Sequence, residues 1–388
     1  MKKVLYIWKS AYPFEIRIQK ICESLAKAGY STRVVCYDNA SDKSAETVNN
    51  VEVRRIIKKS KLTALKYAPM PGNFFWKAFL RRQILEFKPD IIINREMYLM
   101  RESAALAREF NIPIVIDMAE HYPAAMRTFK KYQSPIGRFI TTTLALPDKY
   151  EKMAVDNSDA IITVCKEQNE RLINQYSYAP DKMVIAHNTP LLCEKESLNK
   201  SFNSDEIIFV HHGYLSGDKS IANFLKGFEL ACDARNDIRF IVAGDGECKQ
   251  DYDKLVSGFK HKDKITLTGK YKYYELSDII QKAHIGVIPL PETDFNNHTI
   301  HNKVFDYFAH KLPVLVSDNK PLLRLISETR TGVSHNCESP ESCRDAILKI
   351  ADMDLSTMSQ NAYKAYIEKY NWENDFSNLL EFLKRLSK

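Results

Sequence analysis

No run in this 388-residue sequence approaches the roughly 20 apolar residues that a membrane-spanning helix needs. A secretory leader is not expected either. After Met1-Lys2-Lys3 the apolar run Val4 to Trp8 stops at Lys9 and Ser10, and it reads as a buried first strand. The eight cysteines, at positions 22, 36, 165, 193, 232, 248, 337 and 343, are scattered, and the nearest two, Cys337 and Cys343, lack a second pair at zinc spacing. They read as reduced, mostly buried thiols of a cytoplasmic protein. Neither G-x-x-x-x-G-K-[ST] nor G-x-S-x-G occurs, which argues against a P-loop and a nucleophile elbow. The one D-x-D of interest, Asp352-Met353-Asp354, lies far from the other motifs, so no metal is expected. The formal net charge of +7 is small for this length and matters only where it is concentrated.

What is present is an ordinary globular balance, 45% hydrophobic and 27% charged, over a length that suggests two domains. The first half alternates apolar runs with helix-length segments. Val4–Trp8, Thr32–Tyr37, Asp90–Asn94, Ile112–Ile116 and Ala160–Val164 read as strands, and Glu15–Ala28 as a helix ended by Gly29. The second half repeats the pattern with strands at Glu206–His211, Ile238–Ala243, Lys264–Thr268, Ile285–Pro289 and Val314–Ser317. An amphipathic helix at Asn371–Leu386 closes the chain. Such alternation implies parallel strands with crossover helices. The polar stretch Asn188 to Asp205 is the expected boundary.

Positive charge is concentrated between Val51 and Arg82. Nine bases, Arg54 to Arg82, face a single acid, Glu52, and are interleaved with Phe74, Phe75, Trp76 and Phe79. This pattern suits an anionic membrane surface slightly better than core aromatics with solvated bases. Nucleic acid is not expected, since no motif for it is present.

The most informative stretch is His298 to Val316, HTIHNKVFDYFAHKLPVLV. A polar loop opens a helix that stops before Pro313, and a buried strand follows. Unpaired N–H groups at a helix start suit a diphosphate. Lys303 adds charge there, and Asp306, one turn in, can accept hydrogen bonds from a ribose diol. On spacing alone an ordinary surface helix is the better reading.

The stretch resembles the signature region of the retaining family 4 glycosyltransferases, the glycosyl transferases group 1, which have the GT-B fold. Asn302 to Val314 is similar to the subgroup form N-K-L-F-E-Y-hydrophobic-A-G-x-P-V. The resemblance implies that Asp306 binds the ribose, and it puts His298 where a family acid contacts the donor sugar. Gly213 to Lys219 resembles the family's G-R-L-x-x-x-K loop, with Lys219 at the phosphate-binding lysine and Tyr214 in place of the arginine. Ala243 to Glu247 is similar to the A-G-x-G stretch, and Lys264 to Tyr274 to the segment that holds the base. Tyr12 to Arg17 resembles Y-P-x-D-x-R, near acceptor and donor phosphates. Val115 to Pro123 resembles V-Y-D-x-H-E-x-x-P, with Glu120 at the acid, Ala119 at the histidine position and His121 two residues on. His121 either reaches the cleft or is only a helix-cap or surface residue, and the sequence leaves both open.

The fold implied is α/β of the GT-B kind, with two Rossmann-like domains facing a central cleft. Residues 1–190 would bind the acceptor and 191–370 the nucleotide sugar, with the helix 371–388 packing back on the first domain. The implied catalytic set is Lys219, Lys303, Glu120, His121 and Arg17. The implied donor set is Gly213, Tyr214, Gly244, Lys270, Tyr271, His298, Thr299, Asn302 and Asp306. The implied activity is sugar transfer with retention from a nucleotide-diphosphate donor, a UDP-sugar by family habit, without metal or cofactor. The acceptor would be a glycan or a lipid-linked one, in surface polysaccharide or glycolipid synthesis on the inner face of the membrane. A GT-B sugar-nucleotide epimerase and a non-catalytic nucleotide-sugar-binding partner of another transferase share most of these motifs.

Overall fold

Short apolar runs cannot leave their backbone polar groups unpaired, and here they pair as two separate sheets. The computed structural model describes residues 1–38, 41–57, 60–68, 72–128, 132–193, 206–217, 220–272 and 275–386. The chain divides into two compact units. The first is Met1–Asn188 with Asp375–Lys388, and the second is Thr189–Asn374.

The first unit carries β1 (Lys3–Ile7), β2 (Ser31–Asp38), β3 (Ala45–Val48), β4 (Val51–Ile57), β5 (Ile91–Arg95), β6 (Ile114–Asp117), β7 (Ala160–Thr163) and β8 (Met183–Ile185). Their order in the sheet is β3-β4-β2-β1-β5-β6-β7-β8, parallel except for the β3–β4 pair. The second unit carries β9 (Ile207–His212), β10 (Ile238–Ala243), β11 (Ile265–Gly269), β12 (Ile285–Ile288), β13 (Val314–Ser317) and β14 (Gly332–His335), in the order β11-β10-β9-β12-β13-β14. In both sheets the winding reverses beside the first strand, between β1 and β5 and between β9 and β12. Crevices at the carboxyl ends of such strands are where ligands bind in doubly wound folds.

The helix Ile16–Lys27 starts where Glu15 accepts a hydrogen bond from the Ile18 N–H at 2.7 Å, and it buries Ile18, Ile21, Cys22 and Leu25. The closing helix, Trp372–Leu386, buries Leu379, Phe382 and Leu383. From Asp375 onward it belongs to the first unit, where Asp375 Oδ1 lies 2.9 Å from His187 Nδ1. Among the described residues no helix is long and apolar enough to cross a membrane. Six of the eight cysteines are buried and all eight are free.

The basic stretch is not one continuous face. Val51, Val53 and Ile56 are buried in β4, and Arg55 is buried against Asp38 at 3.0 Å and Glu46 at 2.7 Å. Arg54 pairs with Glu52, Arg81 with Glu109, and Trp76 is wholly buried. Acids from elsewhere in the chain thus answer Arg55 and Arg81, which local sequence could not reveal. Lys58 and Lys59 lie outside the described residues. What remains exposed is narrower: Leu62, Leu65, Phe74 and Phe75, with Lys61 and Lys66 beside them. The Lys66 ammonium lies 4.4 Å from the Phe75 ring centroid.

Candidate functional site

The second sheet's switch point is built from glycine turns. β9 ends in His211 and His212, and the chain then turns at Gly213, where φ is +115°. The Gly213 N–H donates to the Ala243 carbonyl at 2.8 Å, which ties this turn to the end of β10. A Cβ on Gly244 would run into the Gly213 carbonyl oxygen, and one on Gly246 into the backbone of Leu215. Only glycine permits this close approach of two loops. β11 ends at Gly269 and presents Lys270 and Tyr271. The three turns line an open cavity of about 590 Å³, formed by Gly213, Tyr214, Gly244 to Gly246, Lys270 and Tyr271. That volume falls within the usual range for a small-molecule site.

Beside the cavity lies the helix Lys303–Ala309, whose apolar side is anchored twice. Phe305 stacks on Tyr370 at 5.3 Å, and the Tyr307 hydroxyl donates to the Val210 carbonyl at 3.1 Å. The Tyr307 ring fills the space that a side chain on Gly286 would need. Lys303 and Asp306 lie near the carboxyl end of β9. The Lys303 Nζ lies 3.0 Å from where a Cβ on Gly213 would stand. Asp306 Oδ2 lies 3.8 Å from His212 Nε2, and the Tyr271 hydroxyl 3.4 Å from His212 Nδ1. Burial, then the Asp306 charge, pushes the Tyr271 phenol above its ordinary value, so it stays protonated. Gly286→Ala is expected to displace Tyr307 and cost about 1–3 kcal/mol of stability, as overpacking does. Nucleotide affinity should fall with it, and a variant that melts and binds like wild type would contradict this anchoring.

The helix has only seven residues, so its dipole is short. Full positive charges come instead from Lys303 beside Gly213 and from Lys270 in the cavity lining. Asn302 precedes the helix, is exposed and forms no side-chain cap. Thr299 is buried, and Tyr214 is 61% exposed. His298 caps the helix Asp294–Asn297, with Nδ1 2.9 Å from the Asp294 carbonyl, and so engages its own helix. Lys219 lies outside the described residues. Asp352 pairs with Arg235, and Asp354 caps the helix Leu355–Glu368 through the Thr357 N–H at 3.0 Å. Both aspartates of the D-x-D thus have structural partners.

The first unit corrects one expectation. Arg17 does not face a ligand. It is wholly buried, donates twice to Asp117 Oδ1 at 2.8 and 3.0 Å, and donates to the Ala186 carbonyl at 2.7 Å. Tyr6 and Arg95 complete the surroundings of Asp117. Burial works against the charged form of Asp117, but Arg17 and then Arg95 outweigh it and hold the carboxyl below its usual range. The motif match was real in sequence, yet the side chain turns inward to neutralise a carboxylate at the end of β6. Glu120 is half-buried just beyond β6, and burial pushes its carboxyl up against the pull of Arg95. His121 is 4% exposed and lies at the start of the helix Tyr122–Thr128, where its carbonyl accepts from the Ala125 N–H at 2.9 Å. It is therefore not a surface residue. Two groups at these strand ends escaped the sequence reading. Glu96, at φ +64° just after β5, holds its carboxylate between Lys9 and Tyr122. His212 closes β9. A polar residue at the carboxyl end of a parallel strand was the available signal for both.

The profile described as Glycosyl transferases group 1 matches residues 206–353, and that described as Glycosyltransferase Family 4 matches residues 15–189. The chain is homologous to the group 1, family 4 glycosyltransferases. Alpha-D-kanosaminyltransferase of Streptomyces kanamyceticus is 20% identical over 169 residues, 43% of this chain and 42% of that protein. The chain spans less than half the length of the curated relatives it matches. Sucrose-phosphate synthase from Thermosynechococcus elongatus has the same fold at a TM-score of 0.71 and 14% identity, over 100% of this chain and 99% of that one. Anabaena Alr3699/HepE, solved with UDP, gives 0.69 and 13% identity over 99% and 100%. The architecture is thus GT-B, as the motifs led us to expect, with two Rossmann-like units and a C-terminal helix packing back. The glycosyltransferase homology covers both units.

Proposed function

We propose that this chain transfers a sugar, with retention and without a metal, from a nucleoside-diphosphate donor to a glycan or lipid-linked acceptor. The observation that carries the reading is the glycine-built cavity with Lys303 and Asp306 on its edge, at the switch point of the second sheet. The base enters the cavity beside Tyr271, the ribose diol bonds Asp306, and the diphosphate passes Gly213 under Lys303. Lys219, which the sequence resemblance puts at the phosphate-binding lysine, is the second cation of this reading. Negative charge grows on the leaving phosphate in the transition state, so a cation fixed there lowers the barrier more than it tightens ground-state binding. The leaving phosphate takes the acceptor's proton. Glu120 and His121, in the first unit, contact the acceptor. A uridine donor is supported by the UDP held by Anabaena Alr3699/HepE.

A thermal-shift screen of uridine, guanosine, adenosine and thymidine diphosphate sugars tests this reading. A stabilising donor that is then consumed only with an acceptor supports it. Donor consumption without acceptor points to an epimerase, and binding without turnover across an acceptor panel to a non-catalytic partner.

The acceptor side includes contact with the inner face of the membrane through Leu62, Leu65, Phe74 and Phe75 and their neighbouring lysines. A leucine that leaves water for the lipid boundary contributes about 1.5 kcal/mol or more. Leu62→Ser with Leu65→Ser should therefore weaken binding to anionic vesicles by about tenfold or more while leaving nucleotide affinity intact. Equal sedimentation of wild type and variant with vesicles would remove the membrane contact.

A further inference from the structure

We propose that His212 is a positioning residue of the donor site, which makes the site select ribonucleotides by holding Asp306 ready for the diol. The inference rests on the reading above that Asp306 takes the ribose. His212 is 5% exposed, and its ring packs edge-on against Tyr307 at 5.3 Å. Its neighbour His211 has a different task, with Nδ1 2.9 Å from the Val287 carbonyl inside the core. The two ring nitrogens of His212 face unlike partners. Nε2 faces the Asp306 carboxylate at 3.8 Å, and Nδ1 faces the Tyr271 hydroxyl at 3.4 Å.

Those partners choose the tautomer. A carboxylate only accepts, so it draws the imidazole proton to Nε2. Nδ1 is then the acceptor, and Tyr271, kept protonated by burial and by Asp306, donates to it. Tyr271, His212 and Asp306 thus stand in a row, the first step a hydrogen bond and the second an electrostatic contact at 3.8 Å. The row matters because the Asp306 side chain is 30% exposed on a short helix and would otherwise sample several rotamers. Holding Oδ2 toward His212 leaves Oδ1 for the diol, and a group ordered before binding loses less entropy when the ligand arrives. Tyr271 both lines the base cavity and starts this row, so base and ribose recognition are linked.

The experiment measures affinities by calorimetry for pairs of nucleoside diphosphates, the ribose form and the 2′,3′-dideoxy form of uridine, guanosine and adenosine. The proteins are wild type, Asp306→Ala, His212→Ala, His212→Phe and His212→Gln. Phenylalanine keeps the ring against Tyr307 without the N–H, so it reads the polar row even where alanine impairs folding. Glutamine restores a donor near Nε2. Wild type should prefer the ribose form of its best pair by about tenfold or more, the strength of a hydrogen bond to a charged group. Asp306→Ala should abolish the preference. His212→Ala and His212→Phe should shrink it to about threefold or less, with dideoxy affinity nearly unchanged, and His212→Gln should recover most of it. Full preference in the alanine or phenylalanine variant, with none in Asp306→Ala, overturns the role of His212 and leaves the donor site standing. No preference in wild type, or no binding of any pair, overturns both.

Discussion

Lys303→Ala is expected to lower kcat for sugar transfer by about a hundredfold to a thousandfold, the usual cost of removing one preorganised stabiliser of developing charge. Two unit charges about 4 Å apart at an effective dielectric near 20 interact by about 4 kcal/mol, which is enough for an effect of this size. Donor affinity should fall less, because the base cavity and Asp306 remain. Lys303→Arg should rescue only part of the loss. The ammonium lies 3.0 Å from the space that a Cβ on Gly213 would take, and a planar guanidinium does not fit there as a compact ammonium does. Steady-state kinetics with the donor found by screening gives both numbers. A Lys303→Ala enzyme with wild-type kcat would remove this lysine from the reaction.

Arg17→Ala is expected to destabilise the first unit by about 3–5 kcal/mol, because it leaves the fully buried Asp117 without its main partner. The pH dependence follows from the Asp117 carboxyl being held low. A carboxyl with a depressed folded value contributes stability that is fully present above its unfolded pKa of about 3.9 and is lost as pH falls through the folded value. Wild type should therefore keep this contribution at neutral pH and lose it only in acid, whereas Arg17→Ala lacks it already at pH 7. Urea unfolding followed across that range measures both. The opposite pattern, wild-type stability with lost transfer, is what a substrate-binding Arg17 would give.

The contrast between these two residues shows what the sequence carries. Parallel strands buried on both faces appear as apolar runs, so β1, β5, β7 and β13 were legible within a residue or two. β4 was not, because VEVRRII interleaves charges with its core residues, and the acids that answer its buried Arg55 come from β2 and β3. The helix that carries Lys303 and Asp306 was legible because its motif places a helix start after a polar loop. Arg17 was misread because a motif match does not say which way a side chain turns. Whether Arg17 meets a phosphate or Asp117 depends on residues 100 positions apart. His212 was passed over because a lone histidine before a glycine has no signature, and its partners come from two other turns. His298 stands at the family's acid position, but its first hydrogen bond is to its own helix.

The central claim is a donor site in the second unit made by the glycine turns, Tyr271, Asp306 and Lys303. A crystal structure of the protein with a bound nucleoside diphosphate tests it most directly. The account predicts the base in the cavity beside Tyr271, the ribose hydroxyls on the Asp306 carboxylate and a phosphate oxygen within hydrogen-bond distance of Lys303 Nζ. A nucleotide bound at the strand ends of the first unit, with the glycine-lined cavity empty, would contradict it.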